Sequence, residues 1–147
     1  MMRVMVVEDE EMIRKGIVMA VDWAALDCIV VGEAANGEQA LAVAEDCQPT
    51  LIITDLKMPK MDGLEMVRRL REAGSRAYVI ILTAYDSFAY AQTAIRLGAV
   101  DFLLKPFHDG DLENAVLALQ KRIAAQTAPQ PEPLPGVRPG PKSRYVR

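Results

Sequence analysis

Five short apolar runs, each followed by a segment with helical spacing, constrain the fold of this chain more than any other feature. The runs are RVMVV (3–7), CIVVGEA (28–34), TLIIT (50–54), YVIIL (78–82) and VDFLL (100–104). In the first run the apolar residues do not alternate with polar ones, which predicts a strand buried on both faces, as in a parallel sheet. We therefore expect strands that lie inside the protein and are covered by helices.

The segments between and after the runs predict five helices. They cover residues 10–21, 37–47, 62–74, 87–98 and 109–123. In the third, Leu64, Val67 and Leu70 recur at helical steps. Asp62 is expected to cap its start and Gly74 to end it. Strands that alternate with helices over short connections imply parallel strands and right-handed crossovers. The predicted fold class is a doubly wound α/β sandwich with its site at the carboxyl ends of the strands.

The last part of the chain has a different composition. Six of the nine prolines fall in residues 129–141, among glycine, glutamine and glutamate, so no helix interior or packed core is expected there. Residues 1–124 are predicted to form one domain. Residues 125–147 are predicted to be a proline-rich linker or tail that leads to an output domain outside this sequence.

Charge and cysteine content narrow the classes of function. A net charge of −3 does not favour general nucleic-acid binding. Cys28 and Cys47 form no CxxC pair and are interpreted as small buried hydrophobic residues in a reducing, cytoplasmic compartment. No run reaches the roughly 18 apolar residues that a membrane span needs, so no membrane association is expected.

Polar residues follow four of the five predicted strands at the point where each strand ends. They are Glu8 and Asp9 after the first strand, Asp55 after the third, Thr83 after the fourth and Lys105 after the fifth. The carboxyl ends of parallel strands meet at one edge of the sheet. Three carboxylates, a hydroxyl and an ammonium are therefore predicted to share a cleft.

Such a cleft has the chemistry of a phosphoryl-transfer site. Three crowded acids repel one another and need a cation, and an all-oxygen set of ligands suits Mg²⁺. Lys105 and Thr83 would form a clamp for a tetrahedral oxyanion. A carboxylate not needed for the metal could act as a nucleophile towards a phosphoryl group.

Each of these residues also has a simpler interpretation. Glu8 and Asp9 could cap the next helix. Thr83 could satisfy backbone donors, and Lys105 could be solvated. Their coincidence at four strand ends favours the site. The chain contains no GxxxxGK[ST], GxGxxG or GxSxG motif, which disfavours a nucleotide loop or a hydrolase nucleophile, and the single histidine, His108, is interpreted as a surface or capping residue.

The motifs at the strand ends resemble those of response-regulator receiver domains of two-component systems. VVEDE, IITDLKMPKMDG, ILTAYDS and DFLLKPF occur in the right order and at the right spacing, and the resemblance covers residues 2–124. VDWAALDCIVVGEAANGEQAL and TAYDSFAYAQTAIRLGAVDFLLKPF also resemble receivers of regulators with an AraC-type helix-turn-helix output. The resemblance implies a flavodoxin-like (βα)5 fold with strand order 2-1-3-4-5.

The resemblance further implies a role for each site residue. Asp55 would be the phosphoacceptor. Glu8 and Asp9 would hold Mg²⁺, Asp9 directly and Glu8 through water. Asp55 and the backbone carbonyl of Lys57 would complete the protein ligands. Thr83 would bind the phosphoryl oxygen after transfer and act as a switch residue.

Other residues would shape the response according to the same resemblance. Lys105 would pair with the phosphoryl group, and a cis peptide bond to Pro106 would aim its side chain into the cleft. Phe102 occupies the position of an aromatic switch that turns inward, but it lacks the hydroxyl of the tyrosine often found there. Tyr85 and the Lys57 side chain would tune the lifetime of the phosphoryl group.

The implied function is that of a signalling switch. A histidine kinase would phosphorylate Asp55, and the domain would catalyse its own phosphoryl transfer and dephosphorylation. The fourth helix, fifth strand and fifth helix would then change their surface and control transcription through homodimerisation and a DNA-binding output domain. Three alternatives stay open: a pseudo-receiver that signals without phosphate, a stand-alone interaction module without a DNA-binding output, and a small flavodoxin-like binding protein.

Overall fold

Strands and helices alternate along the chain, as the sequence predicts. The computed structural model describes residues 1–84, 88–105 and 110–127. The strands are β1 (Met2–Val7), β2 (Cys28–Ala34), β3 (Leu51–Asp55), β4 (Tyr78–Thr83) and β5 (Ala99–Leu104). The helices are α1 (Glu11–Ala20), α2 (Gly37–Cys47), α3 (Gly63–Glu72), α4 (Phe88–Arg96) and α5 (Asp111–Thr127).

Two details of the helices were not predicted. The helix α5 continues to Thr127 rather than ending at Ile123, and a short 3₁₀ helix covers Ala24–Leu26 before β2. The start of α3 agrees with the prediction, because the Asp62 side chain accepts a hydrogen bond from the Glu65 N–H at 2.9 Å. Within the described ranges, no helix has both the length and the apolar character needed to cross a bilayer.

The five strands form one parallel sheet in the order β2-β1-β3-β4-β5. This confirms the doubly wound, flavodoxin-like architecture. The chain leaves β1 towards β2 on one side and returns to β3 on the other, so the strand order reverses between β1 and β3. The crevice outside the carboxyl ends of these two strands is the usual place for a binding site in such a sheet.

Both faces of the sheet are buried, which explains the unbroken apolar runs. One face packs against α1 and α5, and the other packs against α2, α3 and α4. Along β3, Leu51 and Ile53 belong to the first core cluster and Ile52 to the second, and none of the three is more than 1% exposed. Each fully buried aliphatic side chain of this kind contributes about 1.5–3 kcal/mol to folding.

The two cysteines contribute to this packing as free thiols. Cys28 is buried in the cluster under α1 and α5, whereas Cys47 is partly buried at the end of α2. Burial raises the pKa of both thiols. Both therefore stay protonated at neutral pH, in agreement with their interpretation as small hydrophobic residues.

Candidate functional site

Three carboxylates meet at the edge of the sheet where β1 and β3 end. Oxygen atoms of Glu8, Asp9 and Asp55 lie within 4.8 Å of one another. They converge because β1 and β3 are neighbours in the sheet, with Val7 paired to Thr54, so the next residue of each strand lies beside its counterpart. We call these three carboxylates, together with the side chain of Lys105, the acidic cleft.

Glu8 is the most deeply buried acid of the cleft, with 2% of its surface exposed. Its Oε1 lies 2.6 Å from Lys105 Nζ, and its Oε2 accepts a hydrogen bond from the Glu10 N–H at 3.2 Å. Its own N–H donates to the carbonyl of Ala34 in β2 at 3.0 Å. A buried carboxylate is tolerated only with such partners, so these contacts are what allow Glu8 to lie inside the protein.

Asp55 ends β3, and its carboxylate has a defined orientation. Its Oδ1 accepts a hydrogen bond from the Leu56 N–H at 2.6 Å, and its Oδ2 lies 3.2 Å from Lys105 Nζ. Its backbone carbonyl accepts a hydrogen bond from the Thr54 hydroxyl at 2.8 Å. The side chain keeps 12% of its surface exposed, so the carboxylate is oriented by the protein yet open to a small reactant.

Lys105 follows β5 and bridges Glu8 and Asp55. Partial burial on its own lowers the pKa of the ammonium, but its hydrogen bonds to the two carboxylates and their charges outweigh this effect. The net result is a pKa above the ordinary value of lysine. Lys105 therefore carries its positive charge throughout the neutral pH range and offsets part of the repulsion between the acids.

Asp9 differs from the other two acids because it is exposed to solvent. The pKa of its carboxyl is raised, first by partial desolvation and then by the adjacent Glu8 carboxylate. The donors of the cleft fit Mg²⁺, since all three are carboxylate oxygens close enough to share one ion and Asp9 faces the water from which the remaining ligands would come.

Thr83 lies at a strand end, as the sequence predicts, and Phe102 lies within β5. Thr83 ends β4 and is fully buried, and its backbone carbonyl accepts a hydrogen bond from the Lys105 N–H at 2.7 Å. Phe102 pairs with Ile81 across β4 and β5 and is half-buried against the core cluster shared by α2, α3 and α4. The structure thus brings Thr83 to the edge of the cleft, while Phe102 lies two residues before the end of β5.

The remaining predicted residues are Lys57, Tyr85, Pro106 and His108. Lys57 follows Asp55 by two residues, and its side chain is exposed. Tyr85, Pro106 and His108 lie outside the described residues, so the proposed lifetime tuning by Tyr85, the cis bond at Pro106 and the surface role of His108 stay predictions.

Among the described residues, sequence reasoning missed one that contacts the backbone of Glu8, next to the acidic cleft. Arg14, on α1, donates a hydrogen bond from a guanidinium nitrogen to the backbone carbonyl of Glu8 at 2.7 Å. A sequence signal was available. Arg14 is a charged residue that directly follows Ile13, and Ile13 lies on the side of α1 that packs against the sheet. The backbone acceptor, in contrast, has no signature in the sequence.

Comparisons with known proteins agree with the geometry of the cleft. The family model described as "Response regulator receiver domain" matches residues 4–117. An uncharacterised transcriptional regulatory protein of Bacillus subtilis, YesN, is 32% identical over 124 residues, which are 84% of this chain and 33% of that protein. An uncharacterised response regulatory protein of Vibrio cholerae is 37% identical over 124 residues, which are 83% of this chain and 46% of that protein.

A solved structure agrees with the family match. The REC domain of AraT, a response regulator from Geobacillus stearothermophilus, superposes with a TM-score of 0.78 at 37% identity. The match covers 86% of this chain and 98% of that domain. The chain therefore spans an isolated REC domain almost completely, but less than half of the length of the two curated relatives.

Proposed function

The chain belongs to the response regulator receiver domain family of two-component systems, whose members are phosphorylation-dependent switches, and we propose that Asp55 is its phosphoacceptor. A histidine kinase would supply the phosphoryl group in a Mg²⁺-dependent reaction. The observation that carries the proposal is the acidic cleft itself. Asp55 is oriented by the Leu56 N–H, shares the cluster with Glu8 and Asp9, and faces the ammonium of Lys105.

The chemistry would consist of positioning and charge neutralisation. An oxygen of Asp55 forms a bond to phosphorus, the bond between phosphorus and the kinase imidazole breaks, and its electron pair returns to the imidazole nitrogen. Glu8, Asp9, Asp55 and the backbone carbonyl of Lys57 would hold Mg²⁺, which when bound neutralises charge on the phosphoryl oxygens. Asp9 would bind the ion directly and Glu8 through water.

After transfer, the phosphoryl group would act as an internal ligand. Lys105 would move its hydrogen bond from the Asp55 carboxylate to a phosphoryl oxygen, and the Thr83 hydroxyl would bind a second one. Hydrolysis by water then returns Asp55 to its free carboxylate. We propose that the Lys57 side chain and Tyr85 set the rate of this step, and that a cis peptide bond at Pro106 aims Lys105.

The output of the switch would arise on the side of the sheet formed by β4, β5 and the neighbouring helices. Movement of Thr83 towards the phosphate would leave space that the half-buried ring of Phe102 fills by turning inward. The surface of α4, β5 and α5 would change with it and favour a homodimer. Because Phe102 has no hydroxyl group, this switch would act through packing.

The proposal also includes control of transcription. The similarity to a transcriptional regulatory protein supports it, and the relatives extend well beyond the matched region. We propose that residues 1–124 are the receiver and that residues 125–147 are a linker to a DNA-binding output domain of the AraC type. The full-length protein would act in the cytoplasm, and DNA would be bound only through that output domain.

Acetyl phosphate tests the central proposal without a kinase. With Mg²⁺, the protein is expected to gain the mass of one phosphoryl group, and Asp55→Asn is expected to abolish this gain because an amide is not a nucleophile towards phosphorus. Asp62→Asn is the matched control: it makes the same chemical change and an asparagine can still cap α3. Labelling of Asp55→Asn at the wild-type level would refute the assignment.

A further inference from the structure

The peptide group between Glu8 and Asp9 is held by a contact outside the acidic cleft. Its carbonyl oxygen accepts the 2.7 Å hydrogen bond from Arg14 of α1, while the N–H of Glu8 is bound to Ala34 of β2. This peptide group joins the two acids that come from the end of β1. Its rotation would turn both carboxylates relative to Asp55, so its orientation bears directly on how the cluster can share an ion.

Arg14 is itself held in place by a second residue. Its Nε lies 3.2 Å from Oε1 of Glu33, and its side chain is only 13% exposed. Lys15 contacts the same carboxylate at 3.1 Å but is 49% exposed and has no contact with Glu8 among its hydrogen bonds. The Arg14 guanidinium donates to both Glu33 and the Glu8 carbonyl, so it links Glu33 to the backbone beside the cleft, whereas the hydrogen bonds of Lys15 to described residues go to Glu33.

A bulge in β2 explains why Glu33 is available for this contact. Val4 of β1 pairs with Val30, but the next residue, Met5, pairs with Gly32, which leaves Val31 as an extra residue. An extra residue reverses the faces of all following side chains in a strand. Glu33 is thereby brought level with Val6, on the face of the sheet that α1 covers.

We propose that Arg14, oriented by Glu33, is a positioning residue for Mg²⁺: it fixes the peptide group that carries Glu8 and Asp9. The inference rests on the proposed Mg²⁺-dependent function of the cleft. Arg14 touches neither the ion nor the phosphoryl group in this arrangement. It acts through the backbone, and a change at Arg14 alters the geometry of two ligands while leaving the ligands themselves in place.

Electrostatics alone makes the opposite prediction, which renders the inference testable. Arg14 is a positive charge near a cation site, so its removal should tighten Mg²⁺ binding if only Coulomb repulsion mattered. Removal of a group that orients metal ligands instead weakens binding, typically by about 10- to 100-fold. The direction of the change in affinity therefore distinguishes the two effects.

The experiment compares Arg14→Met with Lys15→Met by titration of MgCl₂ in a calorimeter. Each variant removes one positive charge that contacts Glu33 and keeps an unbranched aliphatic stem. Arg14→Met is expected to raise the Mg²⁺ dissociation constant about 10-fold, whereas Lys15→Met should stay within about 2-fold of the wild type. Labelling of Lys15→Met by acetyl phosphate should reach the wild-type maximum, because this variant changes neither Asp55 nor the contact with the Glu8 backbone.

Equal or tighter Mg²⁺ binding by Arg14→Met, or an equal loss in both variants, would overturn the inference. Arg14→Lys is a second test that keeps the positive charge but lacks the planar fork that contacts both Glu33 and the Glu8 carbonyl, and it decides the matter if circular dichroism shows that Arg14→Met is unfolded. Its expected loss of affinity is about 3-fold, and unchanged affinity would contradict the proposal. A wild-type protein that neither binds Mg²⁺ nor becomes labelled would instead refute the proposed function on which the inference rests.

Discussion

The turn between β3 and α3 (residues 56–62) and the acidic cleft meet at Asp55, but they are held together by different forces. Where the turn joins α3 the backbone is closely packed: a Cβ atom on Gly63, the first residue of that helix, would lie 2.3 Å from the Asp55 carbonyl oxygen. The Gly63 N–H donates to the Leu56 carbonyl at 2.7 Å. In the cleft, by contrast, charges of opposite sign lie 2.6 and 3.2 Å apart around Lys105.

The position of Asp55 and the charge of the cleft therefore depend on different forces. Steric contacts place the Asp55 backbone, and no added ion can relieve an overlap of atoms. The charges of the cleft, in contrast, form a balance that another cation can restore. Mg²⁺ should therefore distinguish the two regions. Stability lost through a substitution in the cleft should be recovered by added Mg²⁺, and stability lost through a substitution at the turn should not.

The largest effect is expected at Gly63. In Gly63→Ala the new methyl group overlaps the main chain of Asp55, so β3 and α3 must move apart, at an expected cost of about 3 kcal/mol in the free energy of unfolding. Urea denaturation with and without Mg²⁺ measures this cost. The loss should be the same in both conditions, because the overlap does not depend on the charge of the cleft.

Gly16→Ala is the control for the chemical change. Gly16 lies inside α1, where an added Cβ atom meets nothing within 4 Å. This variant should be more stable than the wild type by about 0.5–1 kcal/mol, since alanine favours the helix. A Gly63→Ala protein as stable as Gly16→Ala, or one whose loss disappears with Mg²⁺, would contradict the division between turn and cleft.

A moderate effect is expected at Lys105. Lys105→Met keeps the length of the stem but leaves the buried Glu8 without its ammonium partner, and in Mg²⁺-free buffer it should lower the free energy of unfolding by about 2 kcal/mol. Added Mg²⁺ should recover most of this loss, because it supplies a cation to the same carboxylates. Thermal denaturation over a series of MgCl₂ concentrations measures both effects.

The control for this variant is Lys15→Met, which removes a lysine from an ion pair at the surface. Lys15 is 49% exposed in its pair with Glu33, so its loss should cost less than about 1 kcal/mol and should not respond to Mg²⁺. If Lys105→Met were no more Mg²⁺-sensitive than this control, the charge balance assigned to the cleft would be wrong.

The cleft could be predicted from the sequence because the signals for a strand and for its end are both local. Apolar runs mark the strands, and the residue after each run marks its end, so Glu8, Asp55 and Thr83 could be assigned to one edge once the sheet was assumed to be parallel. The cap of α3 by Asp62 was predictable for the same reason, since a helix cap depends on a few adjacent residues.

Contacts that depend on strand register could not be predicted in this way. The bridge from Lys105 to Glu8 spans 97 positions of the chain, and no local sequence pattern indicates that Glu8 rather than Asp9 is the close partner. The bulge at Val31 decides the direction in which Glu33 points, yet CIVVGEA reads as an ordinary strand. Arg14 was missed because its acceptor is a backbone carbonyl, which every residue has.

The smallest effect is expected at Asp9, and it has the opposite sign to the effects at Gly63 and Lys105. The pKa of Asp9 is raised in the folded protein, so its protonated form favours folding at low pH and this contribution is lost as the pH rises through the folded-state pKa. Asp9→Asn avoids the loss, and in Mg²⁺-free buffer its stability relative to the wild type should rise from acidic to neutral pH, by less than about 0.5 kcal/mol.

With Mg²⁺ the order of stability of Asp9→Asn and the wild type should reverse, because the wild type alone keeps the proposed ligand. Asp22→Asn, which can retain its hydrogen bond from the Ala25 N–H, is the matched control for net charge. An equal gain there would show that the gain does not come from the desolvation of Asp9 and its neighbour Glu8, which raise its pKa.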